Sequence, residues 1–258
     1  MRKQFIRSSF IPALCASLFS FVTTPLQAET DNEWRFAVKT YLWGADIGGN
    51  TGAGDSLDVS FSDVFDNLES GFMGAFEARK GKWLVLTDLI YLDVSADDKT
   101  TVSDGPLSVD INAKTNIDLT GTIFQLAGGY NLISEESLKL YILAGTRYLD
   151  LETDISVDLS AVGLSQSAKF SDSGNVWDGI IGLKGIYDFG PRWSVALYGD
   201  IGTGESDFTW QAAAGAVYHT NGGVDVAFLY RHLEWDLDED LLDDINFSGP
   251  AVGAVFRW

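Results

Sequence analysis

The sequence predicts an all-β protein that folds as a transmembrane antiparallel up-and-down β-barrel of ten strands. Three observations support this prediction. Segments of about ten residues alternate apolar and polar side chains with a period of two, which is typical of strands with one face in lipid. Short turns alternate with long loops along the chain. Tryptophan and tyrosine recur near both ends of the segments, as they do at the two interfaces of a membrane.

The N-terminal segment has the organisation of a secretory signal peptide. Residues 1–28 carry three basic residues within the first seven positions, continue with an apolar stretch and end in PLQA, with Ala28 before the expected cleavage point. Such a segment is removed on export. We therefore predict a signal peptide over 1–28 and one barrel domain over 29–258. The single cysteine, Cys15, lies in the signal, so the exported chain is expected to contain no disulfide.

The exported chain is strongly acidic. All 37 acidic residues but only 14 of the 17 Lys and Arg follow the signal, which gives a net charge of 14 − 37 = −23. Nucleic acid is excluded as a partner, because phosphate binding requires a basic surface. No apolar run of about 20 residues follows the signal, so no transmembrane helix is predicted. The sequence also lacks a phosphate loop and a Cys/His cluster, and we predict no cofactor, no metal site and no catalytic residues.

Strands are predicted wherever the alternation is sustained. In the first strand, Trp34, Phe36 and Val38 alternate with Arg35 and Lys39, so one face is apolar and the other is charged. The same pattern continues to the last residue of the chain. The ten predicted strands are 34–44, 71–80, 83–94, 116–130, 138–149, 175–187, 193–201, 207–218, 224–234 and 245–258.

The connections are predicted to differ at the two ends of the barrel. KGK, NLISEES, DFGPR and TNGG are short, whereas the connections at 45–70, 95–115, 150–174 and 235–244 are long. Tight periplasmic turns and long extracellular loops are typical of outer-membrane barrels. An even strand number then places both termini on the periplasmic side. A barrel of eight strands is the alternative, if two of the segments form a hairpin outside the membrane.

Aromatic residues are predicted to form two girdles. One set lies at the tight-turn end of its strands and the other towards the long-loop end, separated by most of a strand length. The alternative is that bulky aromatic residues simply suit strands. The predicted girdle residues are Trp34, Trp83, Trp193 and Trp258 at the first end, and Tyr91, Tyr148, Trp177 and Trp210 at the second.

Charged residues are predicted to line the lumen, because they alternate with the apolar positions. Eight basic and six acidic residues fall on the inner face. Isolated charges are costly in a low-dielectric lumen, so we expect a network of salt bridges that fills it. A narrow polar pore lined by the same groups is the alternative. The predicted residues are Arg35, Lys39, Glu77, Arg79, Asp88, Asp118, Lys139, Arg147, Asp178, Lys184, Asp200, Asp225, Arg231 and Arg257.

The long loops are acidic and contain few cations. The densest stretch is EWDLDEDLLDD at 234–244, where Asp236, Asp238 and Asp240 offer the hard oxygen ligands that calcium or magnesium accepts. The stretch lacks the glycine and the distal glutamate of a calcium loop, so a solvated acidic surface is the alternative. Divalent cations shared with lipopolysaccharide phosphates are a hypothesis based on this charge.

Residues 56–70 depart from the strand pattern. Ser60 or Ser62 is suited to cap a short helix. Phe61, Val64, Phe65 and Leu68 then fall on one helical face. We expect this apolar stripe to cover the barrel mouth as a small plug, or else to pack on neighbouring loops.

Three stretches resemble sequences of a known family: FSDVFDNLESGFMGAFEARKGKW, GESDFTWQAAAGAVY and SGPAVGAVFRW. They are similar to a family of small outer-membrane β-barrel proteins of Gram-negative bacteria, over about residues 33–258. The resemblance implies the barrel fold and a location in the outer membrane, and it implies no catalytic residue and no ligand. A terminal aromatic on an alternating strand also resembles the signal that barrel-assembly machinery reads, so we expect that machinery and the outer-membrane lipids as partners.

The predicted function is a structural or surface role, or passive permeation of small solutes. A lipid-directed enzyme is the alternative. Such an enzyme needs a general base, and the sequence offers two histidines for that role. His219 lies near the tight TNGG turn. His232 has the parity of Tyr230 and Phe228 and is predicted to face lipid near the outer interface, with Glu234 on the same face. The sequence marks no serine as the nucleophile of such a lipid-directed enzyme.

Overall fold

The chain forms a closed barrel of ten antiparallel strands, as predicted. The structure is a computed structural model, and it describes residues 33–50, 56–104, 109–161, 164–237 and 243–258. The predicted signal peptide lies outside the described residues. Among the described residues, no helix is long and apolar enough to cross a membrane.

Two further short strands extend the sheet at one end of the barrel, which brings the described strands to twelve. β2 continues the direction of β1 and pairs with β12, and β3 pairs with β2. The strands are β1 Arg35–Trp43, β2 Asp46–Asn50, β3 Ser56–Val59, β4 Leu68–Lys80, β5 Trp83–Asp104, β6 Val109–Ser134, β7 Leu138–Ala161, β8 Leu164–Asp188, β9 Trp193–Gly204, β10 Phe208–Tyr218, β11 Val224–Asp236 and β12 Asp244–Arg257.

The first and last strands close the barrel. β1 pairs with β12 from Ala37 opposite Arg257 to Trp43 opposite Ala251. Beyond the strand, the backbone N–H of Phe36 donates to the carbonyl of Trp258 at 2.9 Å, and the N–H of Trp258 donates back at 3.1 Å. The terminal strand therefore has no free edge, because it pairs with β1 on one side and with β11 on the other.

The register fixes the size of the barrel. Hydrogen-bonded partners followed once around the sheet lead from Ala37 to Gly49, a shift of 49 − 37 = 12 residues. With ten strands, this shear corresponds to a strand tilt of about 40° and a backbone radius of about 10 Å. Such a lumen is slightly wider than one that eight strands enclose, so large side chains are needed to fill it.

The four tight turns lie where they were predicted, but two of the long loops do not exist as loops. Gly81 adopts a φ of 56° in the turn between β4 and β5, a conformation that favours glycine. The predicted loops 95–115 and 150–174 fall largely within the hairpins β5–β6 and β7–β8. The sequence alternation continues through these extensions together with the backbone ladder, as in LETDISVDLS at 151–160. We call the end of the barrel with the hairpins β5–β6 and β7–β8 the long-hairpin end, and the opposite end the tight-turn end.

The outer surface carries two aromatic bands. On single strands, outward aromatic residues such as Trp83 and Tyr91 lie eight residues apart, and Trp177 and Tyr187 lie ten apart. At the tilt above, these separations are roughly 20–25 Å along the barrel axis, the height of the apolar belt of an outer-membrane barrel. The predicted girdle residues face outward in the structure: Trp34, Trp83, Trp193 and Trp258 at the tight-turn end, and Tyr91, Tyr148, Trp177 and Trp210 at the other.

A short helix, α1 Phe61–Asp66, lies at the long-hairpin end. The hydroxyl of Ser60 accepts a hydrogen bond from the N–H of Asp63, so Ser60 is the N-cap. Val64 is buried in the apolar core of the lumen. Phe61 and Phe65 are instead exposed on the rim. The predicted apolar stripe therefore enters the barrel mouth through one side chain only.

Candidate functional sites in the lumen and on the wall

The lumen near the tight-turn end contains a carboxylate surrounded by three cations. Glu77 is 2% exposed. Its carboxylate accepts a hydrogen bond from Lys39 at 3.0 Å and also pairs with Arg79 and Lys184. The residues come from β1, β4 and β8, so the cluster ties opposite walls of the barrel together. Three cations share this one carboxylate, so the cluster depends on Glu77 for the compensation of its positive charge.

A second cluster lies deeper in the lumen. Arg231 donates to Asp88 at 2.7 Å and to the side-chain oxygen of Gln211 at 2.7 Å. The hydroxyl of Tyr41 donates to the other oxygen of Asp88 at 2.5 Å. The guanidinium also lies 4.7 Å from the ring centre of Trp43, a cation–π distance. Arg231 thus links the charged part of the lumen to the apolar part above it.

The third cluster is fully buried. Arg147 donates to both oxygens of Asp200, at 2.7 and 2.5 Å. Its Nε donates to the side-chain oxygen of Gln125 at 3.3 Å, and its Nη1 donates to the hydroxyl of Thr209 at 3.0 Å. Both members of this ion pair have side chains with no exposed surface. A buried pair of this kind is stable only when its remaining donors and acceptors are satisfied, and these neutral partners satisfy them.

Asp178 is also buried, and it is held by neutral donors. The indole N–H of Trp235 donates to one carboxylate oxygen at 3.2 Å. The backbone N–H of Ser206 donates to the other at 3.0 Å. The carboxylate therefore fixes the orientation of a large buried aromatic and of the connection between β9 and β10.

An apolar core fills the lumen at the long-hairpin end, which sequence reasoning missed. Leu233 and Trp235 have no exposed surface and Trp43 is buried beside them. The signal is visible in hindsight: near this end, inward-facing positions become as apolar as outward-facing ones. The core consists of Trp43, Ile47, Val64, Ile90, Ile123, Leu149, Val176, Leu233, Trp235, Ile245, Phe247 and Ala251.

A cavity lies between the charged clusters. Its volume is about 200 Å³ and its lining is mainly apolar. Lys39, Glu77 and Lys184 border it on one side, and Asp88 and Arg231 on another. The space is unfilled because inward-facing residues of β10–β12 are small, and residues such as alanine and glycine do not reach the barrel axis.

The mouth at the tight-turn end holds the remaining inward charges. Arg257 donates to Asp225 at 2.6 Å, and His219 Nδ1 lies 3.1 Å from the same carboxylate. The Nε2 atom of His219 is 3.0 Å from the hydroxyl of Ser194. The inner face also carries the predicted lumen residues Arg35 and Lys139 at this end of their strands.

One predicted lumen residue is placed elsewhere. Asp118 pairs with Ser95 across β5 and β6, and the Ser95 hydroxyl donates to its carboxylate at 2.5 Å. Asp118 is exposed and has the parity of Phe124 and Leu126, which face outward. The prediction that Asp118 faces the lumen is therefore wrong. The strand extends beyond the apolar belt at this point, so an outward charge is hydrated there.

The outward surface of β11 and β12 carries a polar cluster at the level of the upper aromatic band. His232 Nδ1 lies 2.5 Å from the hydroxyl of Ser248. His232 Nε2 lies 3.0 Å from a carboxylate oxygen of Glu234. The ring of Trp210 packs 4.4 Å from the imidazole, centre to centre. The sequence located His232 and Glu234, and the strand register supplies Ser248 directly opposite His232.

Within the described part of the chain, no group of three or more His, Cys, Asp or Glu is arranged to hold a metal ion. The predicted cation ligands Asp238 and Asp240 lie outside the described residues. Asp236 ends β11 at the rim.

The solved structures to which this chain is similar are distant from it in sequence. The sequence matches no described protein family and no curated protein. Among solved structures, it is similar to the outer-membrane protease OmpT of Escherichia coli, with a TM-score of 0.45 at 11% identity over 90% of this chain and 99% of that one. It is also similar to the translocator domain of the autotransporter NalP of Neisseria meningitidis, with a TM-score of 0.42 at 14% identity over 88% and 89% of the two chains. The chain has the architecture of an outer-membrane β-barrel.

Proposed function

We propose that this chain is a non-conducting outer-membrane barrel with a structural and surface role. The signal peptide directs export, the aromatic bands mark the two interfaces, and the tight-turn end faces the periplasm. In this orientation the apolar core of the lumen lies at the extracellular end. The barrel wall and its rim, rather than a channel, are then the working surfaces of the protein.

The single observation that carries the proposal is the filling of the lumen. Leu233 and Trp235 have no exposed surface, and Arg147 beneath them has none either. A conducting pore needs a continuous water path, and these side chains close the section of the barrel that they occupy. The cavity of about 200 Å³ is bordered by the charged clusters on either side.

The partners proposed with this function follow from charge and from the terminal strand. The acidic rim suits divalent cations shared with lipopolysaccharide phosphates, and the apolar belt contacts outer-membrane lipid. The C-terminal strand, which pairs with β1 up to its last residues, is the segment that barrel-assembly machinery recognises in this proposal.

Conductance of the purified protein in planar bilayers tests the proposal. We expect the wild-type chain to give no current steps in concentrated potassium chloride. Trp235→Ala removes a buried indole from the core and is expected to produce transient openings. Trp83→Ala, which removes an exposed indole of the outer belt, is the matched control and is expected to remain silent. Steady ohmic conductance of the wild-type protein would overturn the proposal.

A further inference from the structure

The outer wall contains three polar side chains where apolar ones are expected. His232 and Glu234 follow Phe228 and Tyr230 on the outward face of β11, and Ser248 faces outward opposite His232 on β12. Polar groups on a lipid-facing surface are unfavourable and are typically functional. These three bond to one another rather than to the lumen, so the barrel interior does not account for them.

The three side chains stand in the order of nucleophile, base and acid. The carboxylate of Glu234 lies 3.0 Å from Nε2 and holds a proton on that nitrogen. The lone pair of Nδ1 then points at the Ser248 hydroxyl, 2.5 Å away. This arrangement lets the imidazole take the hydroxyl proton and lets the carboxylate stabilise the resulting cation. The side chains of His232 and Glu234 are 25% and 37% exposed, so the cluster is open to the surface.

The other histidine shows what a closed cluster looks like in the same barrel. His219 also bonds to a serine and lies beside an acid, but Ser194 is 3% exposed inside the lumen. Arg257 pairs with Asp225, and the imidazole Nδ1 lies 3.1 Å from both the guanidinium and the carboxylate. Arg257 already neutralises the Asp225 charge, and Ser194 is closed off from lipid, so a lipid ester does not reach this cluster. We interpret the His219 cluster as a structural clasp.

We propose that Ser248 and His232, positioned by Glu234, hydrolyse carboxylic esters of membrane lipids. The activity goes beyond the structural role above and depends on the proposed outer-membrane orientation. His232 lies eight residues above Val224, the first residue of β11, or about 20 Å along the axis, and beside Trp210 of the upper band. At this depth the site meets the ester-bearing boundary between hydrocarbon and headgroups of the outer leaflet.

The wall below the site offers space for an acyl chain. Ala212, Ala214 and Ala216 face outward on β10, directly opposite His232, Tyr230 and Phe228 of β11. The shallow track between the larger side chains runs from the site towards the membrane centre. Four residues of strand span about 13 Å, which matches much of an extended acyl chain. This track orients the ester carbonyl at the level of Ser248.

The proposed reaction consumes one water molecule. The Ser248 oxygen attacks the ester carbonyl while its proton passes to His232, and the carbon–oxygen bond to the lipid alcohol breaks as the alcohol takes that proton. The product is an acyl-serine. Water from the interface then loses a proton to His232 and attacks the acyl-serine. The fatty acid leaves, and the proton returns to the serine oxygen.

The test uses the full exported chain, refolded from inclusion bodies so that outer-membrane hydrolases of the host are absent. A fluorophosphonate probe measures covalent labelling of an activated serine. Vesicles of phosphatidylethanolamine and, separately, of lipopolysaccharide are then analysed by mass spectrometry. A lysophospholipid identifies one lipid source and a lipid A lacking one ester-linked acyl chain identifies the other. Either product supports the proposal.

The variants separate this site from its neighbours. We expect Ser248→Ala to abolish labelling and hydrolysis, and His232→Ala to slow both by about 10²–10⁴-fold. Glu234→Gln is expected to lower the labelling rate at least about tenfold, with Glu234→Asp recovering part of it, while heat-modifiable mobility shows the barrel folded. Ser194→Ala is the matched control and is expected to leave both readouts unchanged.

Three outcomes would overturn the proposal. The first is a folded wild-type barrel that neither takes up the probe nor cleaves either lipid. The second is hydrolysis that survives in Ser248→Ala. The third is loss of hydrolysis in Ser194→Ala with Ser248→Ala active, which assigns the chemistry to the other cluster. None of these depends on conductance, so an open lumen and an inactive wall are distinguishable failures.

Discussion

Replacing Glu77 by glutamine tests the main cluster of the lumen. The substitution keeps the shape of the side chain and removes its charge. Three cations then remain around a neutral amide. Their exposures differ: the side chain of Lys184 is 11% exposed, whereas those of Lys39 and Arg79 are 35% and 33% exposed. The last two have access to water near the tight-turn end, so Lys184 carries most of the cost.

The expected magnitude follows from this burial. Removing one partner of a buried ion pair typically costs 3–5 kcal/mol, because the other charge is left without compensation. We expect Glu77→Gln to lower the free energy of unfolding by about 3–4 kcal/mol for that reason. Lys39→Met removes a more exposed cation and leaves Glu77 paired, so we expect it to cost at most about 1 kcal/mol.

The assay is equilibrium unfolding in urea from lipid vesicles, followed by tryptophan fluorescence and by heat-modifiable mobility. The double variant Glu77→Gln with Lys184→Met removes both the carboxylate and the most buried cation. If desolvation of Lys184 causes the loss, this variant recovers more than half of it. The reasoning is refuted if Glu77→Gln is as stable as wild type, or if the double variant is no more stable than Glu77→Gln.

Two further predictions concern the backbone of the sheet and the rim. Gly249→Ala is expected to destabilise the barrel by about 3 kcal/mol, because the added Cβ would lie 1.9 Å from the carbonyl oxygen of Gly44. Gly128→Ala is the control, because its added Cβ would meet nothing within 4 Å. Equal losses of stability in urea unfolding for the two variants would contradict the packing argument. Ser60→Ala removes the N-cap of α1 and is expected to speed hydrogen exchange of the Asp63 amide about fivefold, as for a loss of about 1 kcal/mol, without changing global stability. Ser62→Ala, whose hydroxyl bonds to Ser60, is its control, and the same acceleration there would count against the cap.

The fold was largely determined by the sequence, because a barrel wall imposes a simple rule on it. Each residue faces either lipid or lumen, so alternation at Trp34–Lys39 and at the C-terminus is sufficient to predict strands and their faces. The rule failed where its cause is absent. Around Asp118 the strand leaves the membrane, so its outward residues meet water. The inward face meets the apolar core, against which Val94, the partner of Leu119, packs, so the polar side chains lie outside and the apolar ones inside.

Tertiary structure alone decided which side chains meet. Parity states that Glu77 and Lys184 face the lumen, but their contact depends on a shear of 12 residues accumulated over ten strands, which no local pattern encodes. Contacts on the outer wall also depend on tertiary structure. His232 and Glu234 are two residues apart in sequence, whereas Ser248 lies beside them because β11 pairs with β12. The apolar core around Trp235 also required the closed barrel, because a sequence cannot show whether an inward apolar residue meets water or another wall. Local alternation is a property of one strand, and contact across the lumen is a property of the closed sheet.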